Sequence, residues 1–315
     1  MTKDIGTIKP INIDTFLPDN ATSSGQAIFR IRLIATLEHY GNVLPSADGP
    51  LGKLWTVVHS EESSIEECSD LIEIDPALTA HVFRLANSVA YRGNASTVDE
   101  AVFHLGMGQI RQVAFNGAIF EHFSKLTLPE GWEPFWIRNI FIARLAERIA
   151  SSHFAPNGSE YLAGLLHDAG WLFLATFFAE EFTAILNHPG TLPEAEKEIL
   201  GMSHADVSAA ICASSLLPHR VVNAVLYHNT PSLVEPARMP NIAESARFLG
   251  NIVRLCDKLA DAAGLQFLRP KEITLEEAQA SPEVQWLKQF GREIDYAALI
   301  AEELPKAQEI ASLFL

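Results

Sequence analysis

Gly164-Leu165-Leu166-His167-Asp168-Ala169-Gly170 sets two ionisable residues side by side within one of the most hydrophobic stretches of the chain, Tyr161 to Phe178. Withdrawing a charge from water is costly unless it is paired or holds a metal, so the doublet requires partners. Side chains three, four and seven positions apart share a helix face. On that spacing Arg138 stands with Ile142, Leu145 and Ile149, His228 with Val221, Ala224 and Val225, and Asp257 with Val253, Cys256 and Ala260. Each occupies a place that the stripe reserves for an apolar residue. A lone inward histidine is usually a hydrogen-bonded core residue, and a lone arginine can snorkel to water. Four stripes that each carry one point instead to a common polar site.

The rest of the chain reads as helices joined by short polar turns. Ser64 with Glu67, Thr97 with Glu100, Thr191 with Glu194 and Thr274 with Glu277 have capping-box spacing. Asp75-Pro76 offers an N-cap followed by proline at the first helical position. Apolar stripes run through Gln26–Tyr40, Leu78–Ala86, Phe135–Ile149, Val207–Ala213, Val221–His228 and Ile242–Ala260. Alternation at strand period is scarce, and the expected fold class is all-α. Residues 1–25, with Pro10, Pro18 and Gly25, read as a flexible tail or arm. Gly41 to Gly52 is a Pro/Gly-rich break, and the prolines of Pro231 to Asn241 mark a weak boundary.

Composition narrows the function classes. The 39 acidic residues against 23 basic ones give a formal charge of −16. Nucleic-acid backbones and anionic membranes need clustered Lys and Arg, so both are disfavoured as partners. Cys68, Cys212 and Cys256 are scattered, without a CxxC pair, and read as buried free thiols of a reducing compartment. The first residues lack an apolar signal core, and the greasy run from Trp171 to Ala179 is too short to span a bilayer. The expectation is a soluble, cytoplasmic protein.

The His167-Asp168 doublet resembles the one that names the HD superfamily of metal-dependent phosphohydrolases. An ordered series resembles one branch of it, the HDOD (HD-related output domain) family: Leu44-Pro45, Glu73-Ile-Asp75-Pro76-Ala-Leu78, Arg84-Leu-Ala-Asn87-Ser88 and Ala101-Val-Phe-His-Leu105-Gly106. It continues through Trp136 with Ala143 and Ala150, Gly201-Met-Ser-His204-Ala-Asp-Val207, Pro218 and Val225-Leu-Tyr-His228. The resemblance runs from Leu44 to Pro231 and extends to Asp257. It implies an HD-domain-like multi-helix bundle over residues 26–235, with extra N- and C-terminal helices. The extension, residues 236–315, would pack on the core and supply Asp257.

The resemblance also implies a site. His167, Asp168 and Asp257 match metal-binding positions of HD enzymes, and His204 and His228 match additional histidines of the HD-GYP branch, which cleaves cyclic dinucleotides. A divalent ion (iron, manganese or zinc) is the implied cofactor. Three departures count against activity, so no residue is assigned a catalytic role. The first ligand histidine falls at Arg138, whose guanidinium has no lone pair to give a metal. The lysine that holds phosphate in HD-GYP enzymes falls at Trp171, and their paired histidines read His228-Asn229 here.

Two functional readings follow. One is a non-catalytic module of bacterial signal transduction that binds a protein partner or a nucleotide-type ligand. In it Arg138 acts as an internal cation and bridges Asp168 and Asp257. The other is a metal-dependent phosphohydrolase or cyclic-nucleotide phosphodiesterase with altered ligands, for which Lys258 or Arg254 would have to approach as the phosphate-holding cation. Other features read plainly: Asn87-Ser88 as a helix stop, His204 as a first-turn residue beside the Ser203/Asp206 cap, and Trp132, Trp136, Trp171, Phe177 and Phe178 as core aromatics.

Overall fold

The computed structural model describes residues 17–18, 21–40, 53–54, 57, 64–124, 131–153, 158–215, 217–230, 244–268, 273–290 and 293–314. Among them there is no strand. The helices are α1 (Ser24–Tyr40), α2 (Ile65–Glu73), α3 (Pro76–Ala86), α4 (Val98–Ser124), α5 (Glu133–Ser151), α6 (Ser159–Leu166), α7 (Ala169–Phe177), α8 (Ala179–Asn187), α9 (Leu192–Ile199), α10 (His204–Ser214), α11 (His219–Tyr227), α12 (Glu244–Ala262), α13 (Leu275–Gln279), α14 (Pro282–Leu287) and α15 (Tyr296–Phe314). The breaks at Gly41 to Gly52 and Pro231 to Asn241, and the Leu44-Pro45 pair, lie outside the described residues. So do most of residues 1–25. Leu17, however, is buried in the core, and α1 begins at Ser24, so part of the presumed tail is integrated into the fold.

The caps form where the spacing places them. Ser64 and Glu67, Thr191 and Glu194, and Thr274 and Glu277 bond reciprocally, as do Ser203 and Asp206. At the fourth expected box, Thr97 caps Glu100, but the Glu100 carboxylate accepts from the Ser96 amide instead. The Asp75 side chain accepts from Leu78 at the start of α3. Asn87 closes the turn after α3 by bonding both the amide and the carbonyl of Ala95. The five aromatics read as core residues all pack into the apolar interior.

Helix α5 is the central post, packed on α6, α12 and α15. It is buried nearly all round, as a helix with apolar residues on every face must be. The stretch Tyr161 to Phe178, read as one stripe, is two helices. The chain turns at His167-Asp168, the C-cap of α6 and the N-cap of α7. The glycines on either side of the doublet explain how so tight a junction packs. A Cβ on Gly164 would lie 2.6 Å from the Ala143 Cα of α5, and one on Gly170 would lie 2.2 Å from the His204 carbonyl oxygen. No side chain fits at either approach. The doublet is thereby pressed between α5 and α10.

Candidate functional site

His167 and His228 are built alike. Each follows the last residue of a helix, and each ring turns its Nδ1 onto the carbonyl three residues back: Gly164 at 2.8 Å and Val225 at 2.7 Å. A carbonyl accepts, so Nδ1 carries the proton and Nε2 faces the interior. The rings lie edge to face with centroids 5.0 Å apart. Asp168 begins α7 without using its carboxylate as a cap, which leaves both oxygens for the histidines at the positive end of the helix.

Around that carboxylate the side chains converge. His167 Nε2 is 3.3 Å from Asp168 Oδ2, while His204 Nε2 and His228 Nε2 lie 3.2 and 3.8 Å from Oδ1. Asp257 reaches in from α12, its Oδ1 3.6 Å from His167 Nε2. Its side chain is 28% exposed, so it stands at the mouth rather than fully inward as its stripe suggests. Arg138, nearly buried, places Nη2 2.5 Å from Asp257 Oδ1 and Nη1 2.8 Å from Asp261 Oδ1. It also donates to the Leu265 carbonyl. The expected guanidinium contact is made with Asp257, and Asp261 joins where Asp168 was expected.

Sequence reading missed Glu196 and Asp261. Glu196, buried on α9, accepts from both the amide and the Nδ1 of His204, at 2.7 and 2.5 Å. His204 is therefore both the first residue of a capped helix and a member of the site. Its ring stacks on Trp171, centroids 4.6 Å apart and 21° from parallel, and Asn229 Nδ2 lies 3.0 Å from its Nε2. Lys258 and Arg254 do not approach as a phosphate-holding cation would need to. They bind the buried Glu283 at 2.5 and 2.6 Å, because an uncompensated carboxylate there would be costly.

The electrostatics follow the pairing. Burial opposes charge on His167, but Asp168 and Asp257 outweigh it and push the ring up to about 9. His204 is likewise penalised by burial and raised to about 10 by Glu196 and Asp168. His228, with no carboxylate of its own, is driven down to about 3 by burial and the neighbouring His167. Asp168 is held well below the usual carboxylate range, since the two histidines overcome its burial. Arg138 and His167 depress Asp257 in the same way, against its burial.

Donors that could hold a metal are present. One donor atom each from His167, Asp168 and His228 lie within 4.8 Å of one another. His167 Nε2 is buried and lacks a hydrogen bond of good geometry. Ligands about 2.0–2.2 Å from a shared ion stand roughly 3 to 4 Å apart; His167 Nε2 is 3.3 Å from one Asp168 oxygen and His228 Nε2 3.8 Å from the other, so the carboxylate lies within that range of both rings. Both histidines carry the backbone-anchored Nδ1 that ligating imidazoles usually have. The residues fit a divalent cation.

A helical bundle with a His-Asp doublet at a helix junction, ringed by histidines and aspartates from three other helices, is an HD-type domain. The HDOD domain matches residues 44–231, and the chain belongs to that family. It is similar to the crystal structure of an HDOD domain protein of unknown function from Geobacter sulfurreducens, at 24% identity and a TM-score of 0.68, over 90% of this chain and 97% of that one. A structure from Marinobacter aquaeolei VT8, provisionally described as a signal transduction protein, matches at 20% identity and a TM-score of 0.64, over 96% of this chain and 69% of that one. An uncharacterised protein of Treponema pallidum (strain Nichols) is 22% identical over 236 residues, 72% of this chain. The match spans 45% of that relative's length. No single helix among the described residues is long and apolar enough to cross a membrane.

Proposed function

We propose that this chain is a bacterial signal-transduction module that works by binding a protein partner or a nucleotide-type ligand, its HD-type centre having lost hydrolysis. The observation that carries the reading is Arg138. Its guanidinium sits 2.5 Å from Asp257 Oδ1, so a side-chain cation already pairs with a carboxylate at the edge of the site. Two further observations support it. Trp171 stacks on His204 where a phosphate-holding lysine would stand, and Lys258 and Arg254 are committed to Glu283. Likeness to a chain described as acting in signal transduction agrees with it.

One observation favours a second reading, hydrolysis with altered ligands: the donor triad itself, in which His167 Nε2 faces Asp168 without a hydrogen bond of good geometry. A divalent ion held by His167, Asp168 and His228 would supply Lewis-acid polarisation of a phosphoryl group. His204 and Glu196 would hold a proton at the rim of the site.

A phosphodiester hydrolysis screen decides between them, run on protein purified without chelators or a metal column and assayed for its metal content. The binding-module reading expects no turnover of cyclic dinucleotides or nucleotide monoesters, with or without added Mn2+ or Zn2+. Turnover that disappears in Asp168→Ala would replace it with the hydrolase reading.

A further inference from the structure

Arg138 does more than neutralise Asp257. Its Nη1 also binds Asp261, one turn further along α12, and the Leu265 carbonyl beyond the helix end. The segment so held is an unusual turn. Leu265 N–H donates to Ala260 and Gly264 N–H to Asp261, with Gly264 at φ 80°, a left-handed helix stop. Leu268 follows at φ 60°, a conformation that bulky residues rarely adopt without outside restraint. The restraint between them is Phe267, packed on Trp132 and Phe135 at centroid distances of 5.0 and 5.3 Å. Arg138 and the Phe267 ring thus pin a strained turn against the start of α5.

Asp257 Oδ1 belongs to both systems. It takes the guanidinium at 2.5 Å and faces His167 Nε2 at 3.6 Å. A doubly charged ion among His167, Asp168 and His228 would attract this oxygen and repel the guanidinium. We infer that the Arg138 latch and cation binding at the triad are mutually exclusive, and that a bound cation releases the Gly264–Leu268 turn. The inference rests on the triad being able to take a divalent cation. It gives the module a two-state element that the ion biases, with output at the surface end of α12 rather than inside the site.

Hydrogen exchange of the full-length, chelator-stripped protein, read by mass spectrometry with Mn2+ or Zn2+ added singly, tests this alongside calorimetric metal binding. With metal bound, the Gly264 and Leu265 amides exchange at least tenfold faster, while α15 is unchanged. Arg138→Gln binds the metal at least tenfold more tightly and shows fast exchange in this turn without it. If that variant folds poorly, Asp261→Asn removes one anchor outside the triad, and its metal-free turn exchanges faster than that of the wild type. Metal binding that leaves the turn's exchange unchanged or slower overturns the latch while the triad stands. Absence of binding to both the wild type and Arg138→Gln overturns the triad and the latch together.

Discussion

Helix α5 carries two buried arginines, and they live in different surroundings. Arg144 faces Glu303 of α15 with both side chains almost wholly enclosed, its Nη2 2.6 Å and Nε 2.7 Å from Glu303 Oε2. Its Nη1 donates to Tyr91 Oη and to the side-chain oxygens of Gln109 and Gln112, at 3.0, 3.0 and 2.7 Å. Every group of the pair has a partner, and no orphaned ring nitrogen stands beside it. Arg138 binds carboxylates that open to solvent, next to a histidine whose Nε2 faces its carboxylate neighbours without a hydrogen bond of good geometry, and a turn with two positive-φ residues. A buried charge that is fully satisfied and fully enclosed fixes how α15 sits on the core. One that is shared with a half-open cluster can be exchanged for another cation. Burial alone does not separate the two roles; what the partners are free to do separates them.

The largest expected effect tests the enclosed pair. Glu303→Ala leaves the Arg144 guanidinium buried without its counter-ion and should cost about 3–5 kcal/mol in urea unfolding. The double variant Arg144→Met, Glu303→Leu should recover a substantial part of that loss, because it removes both charges. Equal losses in the single and double variants would mean that hydrogen bonds to Tyr91, Gln109 and Gln112 dominate the pair.

Arg138→Ala should cost less, about 1–3 kcal/mol, since Asp257 and Asp261 can turn towards water. A loss as large as that of Glu303→Ala would erase the distinction drawn between the two arginines. Arg138→His sharpens it from the other side. It places a lone-pair donor beside the triad and is expected to raise Zn2+ affinity at least tenfold by calorimetry, an increase that Asp168→Ala abolishes.

The smallest effect belongs to a third arginine of the same helix. Arg148 pairs with Glu302 at 3.3 Å, with the two side chains about half exposed, 50% and 48%. Glu302→Ala, which also removes the i,i+4 pair with Lys306 at 2.8 Å, should shift stability by no more than about 1 kcal/mol, because solvent screens both pairs.

Spacing along one helix revealed the inward faces of Arg138 and His228 and turned Asp257 towards the site, though to its mouth, because helical periodicity is a property of the local chain. It also made the doublet conspicuous, since two charges stand inside an apolar run. Arg144 gave no local signal of burial: Glu147 and Arg148 follow it at three and four residues on the same helix face, a spacing that reads as a polar stripe, and only α15 covers the Arg144 end of it. Glu196 and Asp261 gave no such signal either. Each is an acidic residue among ordinary helical neighbours, and only the approach of α10 to α9, or of α5 to the end of α12, gives it a role. The turn within Tyr161 to Phe178 was hidden for a similar reason. Both halves are uniformly hydrophobic, so periodicity does not register the change of direction.

The sequence by itself determined the all-helical class, the placement of most caps, the HDOD resemblance and the polar residues that face inward. Those properties depend on backbone geometry and on short-range side-chain patterns. Tertiary structure alone decided which inward charge meets which: Arg138 with Asp257 and Asp261, His204 with Glu196, and Lys258 and Arg254 with Glu283 rather than the site. Such pairings are set by the distances between helices far apart in the chain. Those distances follow from how closely backbones can approach, as Gly164 and Gly170 permit on either side of the doublet, and no pattern within one helix encodes them.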